Sequence, residues 1–355
     1  MRIDRKELAS KLKAVKSAIP KPKDQGVLGV MYDNGTLIAD NYSMRIEAKL
    51  DIQQSLTEDK FILPVKAIEL IENLSSPDIE ITYTPTTVKI KSGSSQTSFA
   101  ALRIDDFPVS PELTEENRIT LDADDFCNKI SKTLFACAYQ GLYSGVLIKD
   151  TYGGIDLVGC DGSRLAKNHI SGDLKFDVVI PKDCIKKVMQ LGIQGSLSLV
   201  QSKNKILFES EDYKIYSQLL SGEYMDYGKI LNAKSMGFKA TVDRNKFAEI
   251  IKRVCLLSDR TAMTIKRKDD HTLQIAVSNA TVDFVEEIEY AGELSEGLVV
   301  GFNSTFMENA IHEFDSDEIT LLIDSATLPC SIIEGDFHTL VLPVRLKKAQ
   351  AKNNA

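Results

Sequence analysis

The sequence predicts an α+β chain of three similar domains in tandem, each with two helices packed on antiparallel sheets. Three observations predict it. A segment opened by an aliphatic residue and aspartate, then apolar at helical spacing, occurs at IDRKELASKLKAVKSAI from Ile3, LDADDFCNKISKTLFAC from Leu121 and VDRNKFAEIIKRVCLLS from Val242. The three starts lie 118 and 121 residues apart, a period of domain size. Between them the same kinds of segment return in the same order.

Each first helix shows its core face. Leu8, Leu12, Val15 and Ile19 share one stripe, as do Phe126, Ile130 and Cys137, and Phe247, Ile251 and Val254. Asp4, Asp122 and Asp243 stand where a side-chain oxygen can accept from the helix's first free N–H groups, and Asp4 with Glu7 is arranged as a capping box. Next come two strand-like runs around a polar turn, at 36–50, 155–170 and 273–290. An apolar strand then runs into a second helix at 61–74, 178–191 and 299–314, and alternating segments follow at 78–93, 196–210 and 318–333. Polar joints at 111–118 and 231–238 are too short to be flexible linkers. They bound domains 1–118, 119–236 and 237–346, and the polar, basic tail 347–355 is expected to be disordered.

A chain 43% hydrophobic and 26% charged reads as soluble and globular. It has no run of about 18 apolar residues, and its N-terminus lacks the apolar core of a signal peptide, so a cytoplasmic location is expected. Six cysteines without a CxxC pair read as reduced thiols, and four scattered histidines form no metal-ligand spacing. No metal or cofactor is expected, and no P-loop is present.

The net charge of −8 argues against a polyanionic partner until the charges are located. Residues 1–23 carry Lys6, Lys13, Lys21 and Lys23 among eight cationic side chains, against Asp4 and Glu7. Lys6 and Lys13 point away from the first stripe, and Lys132 lies off the second. Lys182 and Lys186 oppose Cys184, Val188 and Leu191; Lys252 and Arg253 oppose Phe247, Ile251 and Val254. Outer helix faces are ordinarily charged for solvation alone. Repetition of basic helices on an acidic body suits a polyanion, although the helix of FNSTFMENAIHEF has no Lys or Arg.

The stretch VGCDGSRLAK (158–167) admits two readings. Cys160 or Ser163 would serve as a hydrolase nucleophile if a base such as His169 folded back to it. Alternatively, Asp161–Gly162 is the turn of a β-hairpin.

Several motifs in order make the chain resemble the bacterial DNA polymerase III beta subunit, the DNA sliding clamp family, from residue 1 to about 346. GCDGSRLA (159–166) is similar to the family's Thr-Asp-Gly-His-Arg-Leu-Ala, and DDFP (105–108) to its Asp-Phe-Pro. GEYMDY (222–227) resembles Gly-Arg-Phe-Pro-Asp-Tyr, VGFNSTFM (300–307) the Gly-Phe-Asn helix start, and LVLPVRL (340–346) the terminal Val-Met-Pro-Met-Arg-Leu. The resemblance implies a non-catalytic chain that forms half of a six-domain ring, a head-to-tail homodimer around duplex DNA. It implies dimer contacts of Phe107 and Val109 with Leu256 and Leu257. It also implies a peptide groove between the second and third domains, without catalysis, where the polymerase catalytic subunit and clamp loader insert short apolar motifs. The groove would comprise Tyr143, Cys160, Gly162, Ser163, Arg164 and Leu165, with Met225, Lys229 and Ile230. Leu340, Val341, Leu342, Pro343, Val344 and Arg345 would complete it. Tyr139 and Gln140 would touch DNA from a loop shorter than the family's. Ser163, Cys160 and Met225 depart from the family's His, Thr and Pro. A scaffold of clamp fold that never encircles DNA is the alternative.

Overall fold

The structure, a computed structural model, describes residues 1–51, 60–114, 117–231, 237–258 and 261–346. The tail 347–355 and parts of both expected joints lie outside the described residues. Seven helices occur among them: α1 (Arg5–Val15), α2 (Val65–Asn73), α3 (Ala123–Ser131), α4 (Lys182–Gln190), α5 (Tyr227–Leu231), α6 (Arg244–Leu257) and α7 (Ser304–His312).

Three times the chain runs through one strand, a helix, four strands, a second helix and three strands. The second pass adds the short helix α5, and the third the short strand Ala291–Glu293. The three aspartates act as the sequence requires: Asp4 accepts from the Glu7 amide at 3.0 Å, Asp122 from Asp125 at 2.9 Å and Asp243 from Lys246 at 2.8 Å. Each satisfies a donor that the helix itself leaves unpaired. Leu8, Leu12 and Val15 are fully buried on α1, and Phe247, Ile251 and Val254 on α6. Two stripe residues fall outside their helices. Cys137 follows a 3-10 turn after α3 ends, and Ile19 follows one after α1, in extended backbone. Lys11, on the inner side of α1, is buried with its ammonium 2.9 Å from Asp212 and over the Tyr213 ring.

The described chain forms two compact units. The first contains 1–127, 174–176 and 183–220. Its eight-stranded sheet runs in the order 60–64, 29–33, 36–40, 44–49, 213–218, 205–209, 196–202, 117–122, and α1 packs against strands Thr36–Asp40 and Met44–Lys49. A four-stranded sheet ends at the edge strand Ser95–Ala100. The second unit contains the described residues of 128–173, 177–182 and 221–346. Its nine-stranded sheet runs 178–181, 145–151, 154–160, 164–170, 337–341, 330–334, 318–322, 239–243, 291–293, and a four-stranded sheet ends at the edge strand Asp283–Glu289. Phe247, Phe302, Met307 and Phe314 anchor its core.

The second repeat therefore gives one sheet to each unit. Main-chain pairing crosses the repeat boundaries, Ile46 opposite Ile215 in one sheet and Ala166 opposite Thr339 in the other.

Candidate functional site

The stretch 158–167 folds as a hairpin. Strand Gly154–Cys160 pairs with Arg164–Ile170, Cys160 opposite Leu165, and Gly162 takes φ +87°, a conformation open to glycine. The Asp161 carboxylate accepts from the Ser163 and Arg164 amides at 2.9 and 3.0 Å, closing the turn. His169 lies five residues along the strand from Arg164, about 16 Å away at strand rise, bonded to Asp156 at 2.8 Å. Cys160 is buried, and that burial pushes its thiol up, away from the nucleophilic thiolate. The hairpin geometry disfavours the hydrolase reading.

The last strand of the sheet, Phe337–Val341, lies against this hairpin, with Arg164 opposite Val341 and Leu165 opposite Leu340. Beyond it the chain keeps its hold. The Leu342 amide donates to the Ser163 carbonyl at 2.9 Å, and the Val344 amide to Gly301 at 2.8 Å. A Cβ on Gly301 would meet Leu346 at 2.5 Å and the Val344 carbonyl at 2.9 Å, so this close approach needs glycine.

Arg164 is fixed from three sides. Its Nε donates to Asp161 at 2.9 Å and its Nη1 to Asn309 at 2.8 Å, while the guanidinium lies 4.3 Å from the Phe306 ring centre. Such a clamped, planar cation orients a ligand without further ordering cost. Met225 sits with its sulfur 3.3 Å from Cys160 Sγ. The segment carrying it is tied down by Tyr224, which donates to Val158 and packs edge-on against Tyr143, and by Tyr227, which donates to buried Asp156 at 2.7 Å.

The structure thus brings Tyr143, Cys160, Gly162, Ser163, Arg164, Leu165 and Met225 to one end of the sheet, with Leu340, Val341, Leu342, Pro343 and Val344. Leu165, Leu340 and Val341 are buried as floor, whereas Leu342 and Val344 stay exposed. Arg345 is exposed; Lys229 turns to Asp226 at 3.0 Å, and Ile230 is half-buried on α5. Sequence reasoning missed Asn309, Phe306 and Asp156. Asn309 and Phe306 were within reach of the GFNSTFM motif that opens α7, but no local pattern pairs them with Arg164.

Of the cationic set, Lys6, Lys13, Lys21, Lys23, Lys186 and Lys252 are exposed, as are Tyr139 and Gln140, while Lys182 is half-buried. Lys132 and Arg253 are already compensated by carboxylates. Lys132 lies 2.6 Å from Asp315 and over the Phe337 ring, and Arg253 forks onto Glu286 at 2.9 and 2.6 Å. Of the four expected dimer residues, Val109 and Leu256 are strongly exposed. Leu257 is partly buried against the second unit's core, and Phe107 is buried with Met31, Ile38 and Ile62 inside the first unit.

Residues 234–345 match the family model for the DNA polymerase III beta subunit, C-terminal domain. The chain is 24% identical over 370 residues to the beta sliding clamp of Chlamydia muridarum, covering 97% of this chain and 98% of that one. It is 24% identical to the beta sliding clamp of Bacillus subtilis, covering 94% and 95%. Its fold matches the DNA polymerase III beta chain of Streptococcus pneumoniae TIGR4 with a TM-score of 0.91 at 22% identity, over 97% and 99% of the two chains.

Proposed function

We infer that this chain, a member of the DNA polymerase III beta subunit family, is a non-catalytic DNA sliding clamp. Its three domains, bounded near residues 118 and 236, pair head to tail with a second copy and close a ring around duplex DNA. The polymerase catalytic subunit and clamp loader dock by short apolar segments in the groove beside Arg164.

One observation carries the ring. Twice, the strand after an asparagine- or aspartate-closed hairpin turn pairs with the last strand of the next repeat. Met44–Lys49 of the first repeat meets Tyr213–Gln218 of the second, and Arg164–Ile170 of the second meets Phe337–Val341 of the third. The third repeat's hairpin edge, Asp283–Glu289, and the first repeat's last strand, Ser95–Ala100, each end a sheet among the described residues. A second copy supplies the missing partner for both, which is the closed, heterologous symmetry a ring needs. The observed registers transfer to that contact as Asp283 opposite Ser98, Phe284 opposite Thr97 and Val285 opposite Gln96. Val109 and Leu256 then serve as apolar side-chain contacts, with Leu257 beside them and Phe107 holding the Val109 loop from below.

DNA is held by topology in this reading. Lys6, Lys13, Lys21, Lys23, Lys186 and Lys252 make exchangeable phosphate contacts, joined by Lys182, Tyr139 and Gln140, while Lys132 and Arg253 contribute little beyond shape. Burial of two or three apolar anchors, at about 1.5–3 kcal/mol each less ordering costs, gives roughly micromolar docking in the groove. Partners at such a site exchange readily.

The test is retention on DNA. Protein loaded onto closed circular DNA stays bound in high salt and leaves once the circle is cut, whereas a phosphate-contact binder loses affinity steeply with salt on either form. Equal salt sensitivity on circular and linear DNA refutes the clamp and leaves a binding scaffold.

A further inference from the structure

The first unit repeats the architecture of the groove at the hairpin turn of Asn41. Its hairpin turn is closed as in the second unit: the Asn41 side chain accepts from the Ser43 and Met44 amides at 3.2 and 2.9 Å. The strand that follows is paired in the same way, Met44 opposite Ser217 where Arg164 lies opposite Val341. Against this junction is a cavity of ≈ 140 Å³, lined among others by Tyr42, Met44, Pro108, Lys205, Tyr216 and Gln218. That volume is close to cavities known to admit a benzene ring, so it suits one leucine or phenylalanine side chain.

Two features distinguish the cavity. Tyr42 occupies the turn position that Gly162 holds in the second unit, and it does so at φ +67° with its side chain exposed. The turn calls for left-handed backbone at this position, and placing tyrosine there instead of glycine costs conformational energy while setting an exposed ring at the cavity's rim. The second feature is charge. Buried Arg45 is consumed by Glu47 at 2.7 Å, Asp40 at 3.4 Å and the Pro108 carbonyl at 3.2 Å. Lys205 is then the lining cation without a carboxylate partner among the described residues. The cavity accordingly offers an apolar recess, an aromatic rim and a lysine ammonium with no direct carboxylate contact among the described residues.

We propose that this cavity is a second docking site, taking an extended peptide segment that carries one apolar side chain next to a carboxylate. The choice of an extended peptide rests on the groove reading given above; the cavity, Tyr42 and Lys205 do not.

The experiment follows methionine methyl groups by NMR in the intact dimer, whose contact residue Val109 also borders the cavity. Met44 reports the cavity and Met225 the groove, each assigned by a leucine variant. The probes are acetyl-Asp-Leu-amide and its uncharged analogue acetyl-Asn-Leu-amide. The Met44 methyl shifts and saturates with the charged peptide at roughly millimolar concentration, and the Asn peptide binds about threefold to tenfold more weakly. Lys205→Glu removes that preference. Tyr42→Gly relaxes the turn while deleting the ring, so the fold holds and affinity falls at least about threefold. A Met44 methyl that stays still at roughly ten times that concentration, or equal binding of both peptides, overturns the proposal. Movement of Met225 without Met44 leaves the groove standing and removes the second site; movement of Met44 alone does the reverse.

Discussion

Replacing His338 by glutamine should flatten the acid limb of the second unit's stability. His338 lies in strand Phe337–Val341, opposite Lys167 on one side and Ile333 on the other, and its Nε2 is hydrogen-bonded to the Ser331 hydroxyl. Burial, and then the charge of Lys167, push its pKa from 6.5 down to about 4. The folded chain therefore refuses a proton that the unfolded chain takes up near pH 6.5. Because the folded pKa is the lower one, this site imposes no penalty above pH 6.5, and stability drains away as pH falls from there toward 4. At pH 5 the gap is about 1.5 pH units of differential proton binding, or about 2 kcal/mol; below pH 4 it reaches about 3 kcal/mol. Urea unfolding of the parent and His338→Gln at pH 7 and pH 5 measures it. The difference in stability between the two proteins should move by about 2 kcal/mol in the variant's favour on acidification. An imidazole proton resonance that titrates near 6.5, or parallel pH dependences in the two proteins, refutes the reasoning. The same strand carries Leu340 and Val341, the buried floor of the proposed groove.

Two further predictions concern assembly and packing. Ser98→Glu, at an exposed edge position, sets a like charge opposite Asp283 in the inferred intersubunit register; sedimentation should show weakened dimers, and Asp283→Lys should restore them. A dimer indifferent to both changes means the register is wrong. Gly159→Ala places a Cβ 2.2 Å from the Thr133 carbonyl, so the strand bearing Cys160 must shift. A loss of about 2–4 kcal/mol, read as a lower melting temperature, is expected, and an unchanged melting temperature contradicts the packing described.

Much of the fold was legible because it is locally encoded. The aspartate caps lie within three residues of the amides they satisfy, and the Asp161–Gly162 turn and the strand-to-helix transitions are equally short-range. The groove was proposed in part from motifs whose order resembles that of the sliding clamp family. The burial of Phe107 was not legible, because it depends on Met31, Ile38 and Ile62, some 45 to 76 residues away in sequence.

By itself, then, the sequence determined the elements, their threefold recurrence and the chemistry available at each turn, since periodicity and side-chain-to-backbone bonds act over a few residues. Only the tertiary structure decided which strands continue one another across repeats, that Asn309 and Phe306 hold Arg164, and that Lys132 and Arg253 are spent on Asp315 and Glu286. Main-chain pairing is nearly blind to side-chain identity, and ion pairs between distant segments leave no periodic trace. Such choices are made by packing, after the elements exist.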